Sequence, residues 1–197
     1  MKHAEAMQLV SAFITPEMLT VTNLTTNARM WSALRGERPS FYGLNMGLCL
    51  PFAVGLSLAF PKRRVFAFDG DGSLIIETSA LITAAEVSPP NLLAVVFDNG
   101  RYSDMAVTAT TRRTDLELMA RGAGIPRTAT VRTPDELNGA VEAALASGEF
   151  TLLVAKVEAQ RDNPFRGQGD YIVRSERGMK EAFVETLRHL PDYGSWR

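Results

Sequence analysis

Two polar segments follow apolar runs in the middle of the chain. Asp71 lies in a glycine-rich turn, residues 69–73, directly after the apolar run 65–68, and Asn99 directly follows a second apolar run, 92–97. Short β-rich runs bounded by turn residues are typical of buried parallel strands. Carboxylate and amide oxygens are ligands that Mg²⁺ prefers, so Asp71 and Asn99 are candidate ligands of a hard cation.

The segment between these two residues predicts a βαβ unit. A helical pattern over residues 74–87 separates the apolar runs, and Pro89 and Pro90 end it. A strand, a helix and a parallel strand form a unit with a right-handed crossover. Both strands then end at one edge of the sheet, where open α/β sheets bind ligands. We therefore expect Asp71 and Asn99 to converge although they are distant in sequence.

The turn around Asp71 has the composition of an anion-binding loop. Gly70 and Gly72 remove side chains where a ligand must approach backbone N–H groups. Ser73 is predicted to be the N-cap of the next helix, whose free N–H groups and dipole favour a bound anion. A carboxylate, an amide oxygen and such a helix start together indicate Mg²⁺ carrying a phosphate group.

Other kinds of site agree less well with the Asp-Gly-Asp-Gly turn at residues 69–72. A calcium loop that begins at Asp69 requires glutamate at its twelfth position, where Ala80 stands. A Walker loop requires Gly-Lys-Ser/Thr and a dinucleotide fingerprint requires three spaced glycines, and the turn has neither. A turn without any ligand stays open, because Asp and Gly are ordinary turn residues.

Length and composition limit the number of domains, the kinds of partner and the cellular locations that we expect for this protein. The 197 residues fit one domain over 1–197, with 160–197 as a C-terminal tail and helix. A net charge of −1 gives no electrostatic case for nucleic acid or membrane surfaces. The single cysteine, Cys49, excludes an internal disulfide and favours a cytoplasmic location. We find neither a leader, which would indicate secretion, nor a run of 18 apolar residues, which would indicate a membrane span. Neither secretion nor a membrane span is therefore expected.

Hydrophobic periodicity and turn residues predict the remaining elements. Helices are expected over residues 5–13, 47–60, 115–121, 133–145 and 179–190, and strands over 19–22, 128–131 and 151–157. Another helix, capped by Asn23 or Thr25, is expected to run through Leu34 and to end at Gly36. Asn23 and Thr26 are interpreted as helix caps, and His3 and His189 as isolated surface residues. Residues 108–113 form a polar loop that an anionic substrate could meet, although a solvated loop is the favoured interpretation of the Arg112-Arg113 pair.

Three separated pieces of the chain resemble the thiamine diphosphate enzymes. They occur in that family's order and spacing, and the match covers residues 41–125. The likeness is greatest to the β subunit of sulfopyruvate decarboxylase and the corresponding part of phosphonopyruvate decarboxylase. The pieces are Gly70-Asp71-Gly72-Ser73, then Asp98-Asn99, and upstream Asn45-Met46-Gly47 with Leu50-Pro51, Gly55 and Leu58-Ala59.

The resemblance implies a cofactor, a metal and the residues that bind them. Thiamine diphosphate would be held with Mg²⁺ by Asp71, Asn99 and the backbone carbonyl of Arg101. Met46 would lie beneath the bent cofactor, and the Leu44 carbonyl would accept a hydrogen bond from the aminopyrimidine. The cofactor-binding candidates are Leu44, Asn45, Met46, Gly70, Asp71, Gly72, Ser73, Asn99, Arg101 and Tyr102.

The resemblance also implies a doubly wound α/β fold, mainly parallel with helices on both faces, and a decarboxylase of a small anionic 2-oxo acid. In the family the glutamate that activates the cofactor lies in a pyrimidine-binding domain, for which these 197 residues have no room. We therefore expect a separate pyrimidine-domain (α) subunit, without which this chain is weak or inactive. Self-association is expected through the helices predicted at 47–60 and 74–87.

Two observations leave the reaction open. Glu77 stands where related decarboxylases often have an amide, and Ser103-Asp104 replaces a common small pair near the substrate position. A carboligase, an oxidoreductase subunit or a non-catalytic cofactor-binding module are the alternatives. The single cysteine argues against an oxidoreductase that carries its own iron–sulfur cluster in this chain.

Overall fold

The computed structural model describes residues 1–35, 39–103, 105–159, 164 and 176–194. The expectations for Gly36, Asp104 and most of the 160–175 segment lie outside these residues. The strands are β1 (Leu19–Asn23), β2 (Ser40–Leu44), β3 (Val65–Gly70), β4 (Leu92–Asp98), β5 (Arg101–Tyr102), β6 (Ala106–Val107), β7 (Arg127–Val131) and β8 (Thr151–Lys156).

One parallel sheet organises the described residues, with strand order β2-β1-β3-β4-β8-β7. β5 and β6 form a small separate antiparallel hairpin. The helices are α1 (His3–Ser11), α2 (Thr26–Arg35), α3 (Cys49–Ala59), α4 (Asp71–Ile76), α5 (Ser79–Val87), α6 (Leu116–Gly122), α7 (Pro134–Ser147) and α8 (Glu176–Arg188), with a 3₁₀ turn at Ala109–Thr111.

Helices cover both faces of this sheet, and each face has its own apolar core. Along β3, Val65 and Ala67 contact the core beneath α3, α5, α6 and α8, whereas Phe66 and Phe68 contact the core beneath α1, α2 and α7. This alternation follows from the two-residue period of a strand that is buried on both sides. The expected doubly wound α/β fold is confirmed.

The strand order reverses between β1 and β3. The chain passes from β1 to β2 on one side, and then returns to place β3 on the other side of β1. Ligands of open α/β sheets bind in the crevice at the carboxyl ends of strands where this reversal occurs. In this chain, the crevice lies between Asn23, at the end of β1, and Gly70, at the end of β3.

Several elements follow from local sequence signals alone. The backbone N–H of Glu136 donates to Thr133 Oγ1 at 3.2 Å, and Glu136 Oε2 accepts from the Thr133 N–H at 3.3 Å. This reciprocal capping box starts α7 where the sequence predicts it. Asp115 caps α6 by accepting from the Leu118 N–H at 3.0 Å.

Two predicted helices have different bounds in the structure. The helix expected over 47–60 begins only at Cys49, because Gly47 has a φ of +85° and belongs to a turn. The helix expected over 74–87 is two helices, α4 and α5, which Glu77 and Thr78 separate. A Cβ on Gly47 would lie 2.8 Å from Glu77 Cβ, so the close approach of the two segments coincides with the break.

Two further expectations are wrong, and one strand was not predicted. Strand β2 was not predicted because its sequence contains a glycine and its residues do not alternate regularly between buried and exposed positions over Ser40–Leu44. His3 is buried, not on the surface, with 2% of its area exposed. Asn23 does not cap α2; it ends β1, and its side-chain oxygen accepts from Asn27 Nδ2 at 2.8 Å.

The C-terminal helix lies against the face that α3 covers. Phe183 of α8 packs edge-on against Phe41, with 5.4 Å between ring centroids, and also contacts Phe52. Beyond the helix, Asp192 pairs with the Arg63 guanidinium, at 2.7 Å from Nε to Oδ1. No helix among the described residues is both long enough and apolar enough to cross a membrane.

Candidate active site

Asp71 and Asn99 lie after neighbouring strands at one edge of the sheet. β3 and β4 pair in parallel, and Gly70 at the end of one is in register with Phe97 of the other. Asp71 directly follows Gly70 as the first residue of α4, and Asn99 directly follows β4. The topology therefore brings together the two candidate ligands that the sequence indicates.

The Asp71 carboxylate is buried, with 2% of the residue's area exposed, and its partners are neutral. Thr108 Oγ1 donates to Asp71 Oδ2 at 2.5 Å, and Thr110 Oγ1, whose proton the shorter bond to Asp98 takes, lies 3.3 Å from the same oxygen. Within the described residues, no Lys, Arg or His pairs with Asp71. Burial, together with the charge of Asp98, raises the pKa of Asp71 above its usual value, although the Thr108 hydrogen bond opposes this.

Asp98 is a second buried carboxylate beside Asp71. It forms an ion pair with Lys156, which is in register with it on the neighbouring strand β8. Asp98 Oδ1 also accepts hydrogen bonds from Thr110 Oγ1 at 2.8 Å and from the Gly100 N–H at 3.1 Å. Thr110 therefore lies between the two carboxylates, of which only Asp98 has a cationic partner in the described part of the chain.

Ser73 does not cap the helix as predicted. α4 begins at Asp71 with Gly70 as its N-cap, so Ser73 lies within the first turn. Its hydroxyl oxygen accepts from the Gly47 N–H at 3.0 Å and is hydrogen-bonded to Asp69. The prediction failed because the N-cap rule considers only local partners, whereas these contacts come from the turn after β2 and from β3.

Asp69 contributes a third buried carboxyl group behind the turn. Burial raises its pKa to about 6, although hydrogen bonds from Ser73 and from the Gly70 N–H oppose the shift. The Gly70 N–H lies 2.9 Å from Asp69 Oδ1. Asp69 therefore holds the shape of the glycine turn from inside the protein.

Asn99 shapes the loop that follows β4. Its Oδ1 accepts from the Arg101 N–H at 2.9 Å, and Gly100 has a φ of +70°. A Cβ on Gly100 would lie 2.6 Å from Thr111 Cγ2, so glycine is needed for both conformation and space. The Thr108 N–H donates to the Gly100 carbonyl at 2.8 Å, which holds the 3₁₀ turn on this loop.

Gly72 and Tyr102 are in close contact. A Cβ on Gly72 would lie 2.5 Å from Cε1 and 2.6 Å from Cδ1 of the Tyr102 ring. Tyr102 belongs to the β5–β6 hairpin, which follows Asn99. The absence of a side chain at Gly72 thus allows the hairpin to lie against the start of α4.

The upstream candidates lie in the turn after β2. Leu44 is buried at the end of β2, Asn45 is exposed, and Met46 is half-buried. The hydrogen bond from the Gly47 N–H to Ser73 joins this turn to the glycine turn after β3. The structure therefore connects the segments 44–47 and 70–73 at the edge where the strand order reverses.

Sequence reasoning missed the residues that surround the two carboxylates. The sequence predicts Thr108 in a polar loop that a substrate could meet, but the residue is buried, with 2% of its area exposed, and its hydroxyl bonds Asp71. Thr110 and Lys156 likewise reach the site through contacts that span long sequence separations. The available signal was a run of threonines after a hairpin, together with a lysine that ends an apolar strand. Arg112 and Arg113 are exposed, as the solvated-loop interpretation predicts.

The donor atoms fit a hard cation that a phosphate-bearing ligand also coordinates. Among the described residues, no three His, Cys, Asp or Glu side chains are grouped to hold a metal by themselves. Asp71 supplies one carboxylate that lacks a cation, and Asn99 a half-buried amide oxygen. A site with so few protein ligands suits Mg²⁺, which is usually held by one or two carboxylates, substrate phosphates and waters.

Comparison with known proteins decides the family. The profile described as "Thiamine pyrophosphate enzyme, C-terminal TPP binding domain" matches residues 22–155. The chain belongs to this family. The match includes every cofactor-binding candidate, from Leu44 to Tyr102, and the resemblance derived from the sequence is confirmed.

Two relatives of this chain are named as sulfopyruvate decarboxylases. A sulfopyruvate decarboxylase from Methanosarcina acetivorans is 38% identical over 128 residues, which cover 64% of this chain and 32% of that protein. A sulfopyruvate decarboxylase subunit beta from Methanothermobacter thermautotrophicus is 33% identical over 148 residues, which cover 74% of this chain and 76% of the relative. The chain thus spans about a third of the first relative and three quarters of the second.

A solved structure agrees with this assignment. The thiamine diphosphate-dependent 4-hydroxybenzoylformate decarboxylase of Rhodococcus jostii RHA1 superposes with a TM-score of 0.66 and 26% identity. The match covers 82% of this chain and 33% of that protein. The family's C-terminal TPP-binding domain is therefore present here as the sheet and helices described above.

The contact between Gly72 and Tyr102 predicts a measurable coupling. Gly72→Ala should lower the free energy of unfolding by about 1–3 kcal/mol, because the new methyl group overlaps the ring. Tyr102→Ala in the same background should recover most of this loss, which urea unfolding of the two single variants and the double variant will measure. Losses that simply add in the double variant would contradict the contact.

The uncompensated charge of Asp71 predicts a stability effect of unusual sign. An aspartate whose pKa is higher in the folded than in the unfolded state makes folding less favourable as the pH rises between the two values. Asp71→Asn should therefore stabilise the metal-free protein at pH 7, with a smaller gain toward pH 4, in urea unfolding with chelator. Asp135→Asn, at an exposed aspartate, is the control. An Asp71→Asn variant less stable than the unmodified protein at pH 7 would refute this.

Proposed function

We propose that this chain is the thiamine diphosphate- and Mg²⁺-binding subunit of a two-subunit 2-oxo acid decarboxylase. The observation that carries the proposal is the buried Asp71 carboxylate, which has no cationic partner in the described part of the chain. It lies at the edge of the sheet where the strand order reverses. A divalent cation that binds there offsets the repulsion between Asp71 and Asp98.

In this proposal the metal is held by Asp71, Asn99 and the backbone carbonyl of Arg101. Asn99 Oδ1 already bonds the Arg101 N–H, so the two residues occupy one tight turn. The Thr108 hydroxyl bonds Oδ2 of Asp71 and so fixes the orientation of its carboxylate. A carboxylate whose orientation is fixed in advance loses less conformational entropy when it binds a metal.

The remaining cofactor contacts are assigned to the two connected turns. Gly70, Gly72 and Ser73 present backbone to the diphosphate group, while residues 44–46 face the rings, with Met46 beneath them. When bound, thiamine diphosphate supplies the electron sink for loss of CO₂. The protein's part is to hold the cofactor and the 2-oxo acid together and to keep water out of the crevice.

A pyrimidine-domain (α) subunit completes the site in this proposal. The relative from Methanothermobacter is named as a subunit beta, and this chain covers 76% of its length. No glutamate among the candidate residues activates the cofactor, so we place the activating glutamate on the partner. The single cysteine, which is buried, accords with an enzyme of the reducing cytoplasm.

For the substrate we propose a 2-oxo acid with a second anionic group, such as a sulfonated or phosphonated pyruvate. Arg112 and Arg113 are exposed directly after the 3₁₀ turn that Thr108 and Thr110 hold against Asp71 and Asp98. Arginine recognises sulfonate and phosphonate oxygens through paired hydrogen bonds. The turn that precedes these two arginines is held next to the carboxylates, and this position supports a role for them at the mouth of the crevice.

Calorimetry and reconstitution test the function. Thiamine diphosphate titrated into the protein together with a pyrimidine-domain subunit should release heat with Mg²⁺ but not with chelator, and the mixture should release CO₂ from sulfopyruvate. Asp71→Asn should abolish both signals, because it removes the metal's carboxylate, whereas Asp135→Asn should keep both. Binding that is equally strong in chelator, or in the Asp71→Asn variant, would contradict the proposed metal site.

Self-association is a second component of the proposal. Leu48 and Leu58 at the two ends of α3, and Ile82 on α5, are each about half exposed or more, and Gly55 between them has open space around it. Such an apolar strip is typical of a protein interface.

Sedimentation velocity will test this interface. The unmodified protein should sediment as a dimer at micromolar concentration, and Leu58→Lys should shift it to monomer because a lysine would be buried between the copies. Leu118→Lys, at an equally exposed leucine on α6, should leave the dimer intact. A monomeric unmodified protein would refute self-association.

A further inference from the structure

His3 begins a buried chain of polar side chains that reaches the candidate site. Its ring lies 4.7 Å from the Phe97 ring, centroid to centroid, in a stacked arrangement. His3 Nε2 is 2.8 Å from Asn27 Oδ1, whereas Nδ1 is buried without a hydrogen-bond partner among the described residues. A buried polar atom without a partner requires an explanation, since such atoms are rare in folded proteins.

The hydrogen bonds of Asn27 fix the direction of this chain. Asn27 Nδ2 donates to Asn23 Oδ1 at 2.8 Å and to the Phe68 carbonyl at 3.5 Å. Because the amide nitrogen serves these two acceptors, the amide oxygen faces His3 and must accept. His3 therefore carries its proton on Nε2 and leaves Nδ1 as a bare acceptor. The opposite tautomer would place an N–H group in the core without an acceptor.

The neutral state of His3 keeps this direction constant. Burial lowers the pKa of His3 to about 4, although its hydrogen bond to Asn27 opposes the shift. The ring therefore stays neutral across the physiological range, and a second proton does not reach Nδ1. The one donor on Nε2 is then always available to Asn27.

The far end of the chain lies between the two proposed cofactor-binding segments. Asn23 ends β1, where it is in register with Leu44 on one side. On the other side, its Nδ2 is 3.1 Å from the position that a Cβ of Gly70 would occupy. Asn23 is thus at the reversal of strand order, where the fold binds ligands.

We propose that His3 is a positioning residue that acts through Asn27 to turn the amide nitrogen of Asn23, and not its oxygen, toward Gly70 and the bound diphosphate. This inference rests on the proposed function, because the diphosphate is the anion to be recognised. An amide nitrogen donates to an anion, whereas an amide oxygen in the same place repels it. A side chain on the N-terminal helix thereby sets the polarity of a group at the active-site edge.

A purely structural role of His3 makes different predictions. If the chain of bonds only attached α1 and α2 to the sheet, substitutions would lower thermal stability and leave cofactor affinity unchanged in the folded protein. If it sets the polarity of Asn23, affinity must depend on whether a donor is present at position 3. The two roles are therefore separable by choosing variants that keep or remove that donor.

Calorimetry of thiamine diphosphate binding, with Mg²⁺ and the pyrimidine-domain subunit present, is the first test. His3→Gln keeps a donor near the position of Nε2 and should retain the dissociation constant within about twofold. His3→Leu should weaken binding about tenfold, a loss of about 1.4 kcal/mol. Asn27→Asp should weaken it similarly, because a carboxylate gives Asn23 no donor. His189→Leu, at an exposed histidine, is the control and should change nothing.

The imidazole ¹⁵N shifts of His3 provide a test that needs no cofactor. The chain has two histidines, so the variant His189→Leu, at the exposed histidine, assigns the remaining resonance to His3. A proton on Nε2 at pH 7 is expected, and a proton on Nδ1 would overturn the polarity argument even if His3→Leu fails to fold. An unchanged affinity in folded His3→Leu or Asn27→Asp would also overturn it. If the unmodified protein binds no thiamine diphosphate, the proposed function fails, and the role of Asn23 with it.

Discussion

Burial of the Asp71 carboxylate beside Asp98 is the interaction on which the arrangement of this edge depends. Two like charges in a poorly solvated place repel each other, and Lys156 pairs with only one of them. The threonine hydroxyls that bond the carboxylates provide dipoles but no charge. The fold therefore keeps two like charges close together at this edge, and the Mg²⁺ proposed above would offset their repulsion.

The same arrangement explains why so many segments meet at one place. The 3₁₀ turn that carries Thr108 and Thr110 is held by the Gly100 carbonyl, and Gly100 has room for it only because it lacks a side chain. The Tyr102 ring lies against Gly72 for the same reason. Glycines at this edge thus allow one loop to pack on another, besides leaving backbone open to a ligand.

The sequence predicts a feature of this edge when the residues that form it are close together along the chain, and misses it when they are far apart. Apolar runs and glycine turns are local signals, and they predicted β3, β4 and the placement of Asp71 and Asn99 at one edge. The prediction that Ser73 caps a helix was wrong because its hydrogen-bond partners, Gly47 and Asp69, belong to other elements. The burial of His3 was not predicted for a similar reason. Its hydrogen-bond partner, Asn27, belongs to another helix, and the residues around His3 give no local signal of this contact.

The distribution of polar and apolar groups is compatible with the two-subunit arrangement proposed above. The part of the edge around Asp71 is closed by this chain's own threonines and carboxylates, whereas the turn after β2 leaves Asn45 exposed and Met46 half-buried. The exposed leucines of α3 begin next to that turn, at Leu48. In the proposed function, the closed polar part would hold the diphosphate end of the cofactor, and the more open turn after β2 would leave the ring end to the partner subunit. The division of labour between two chains is thus consistent with where this fold places its charges and its apolar surface.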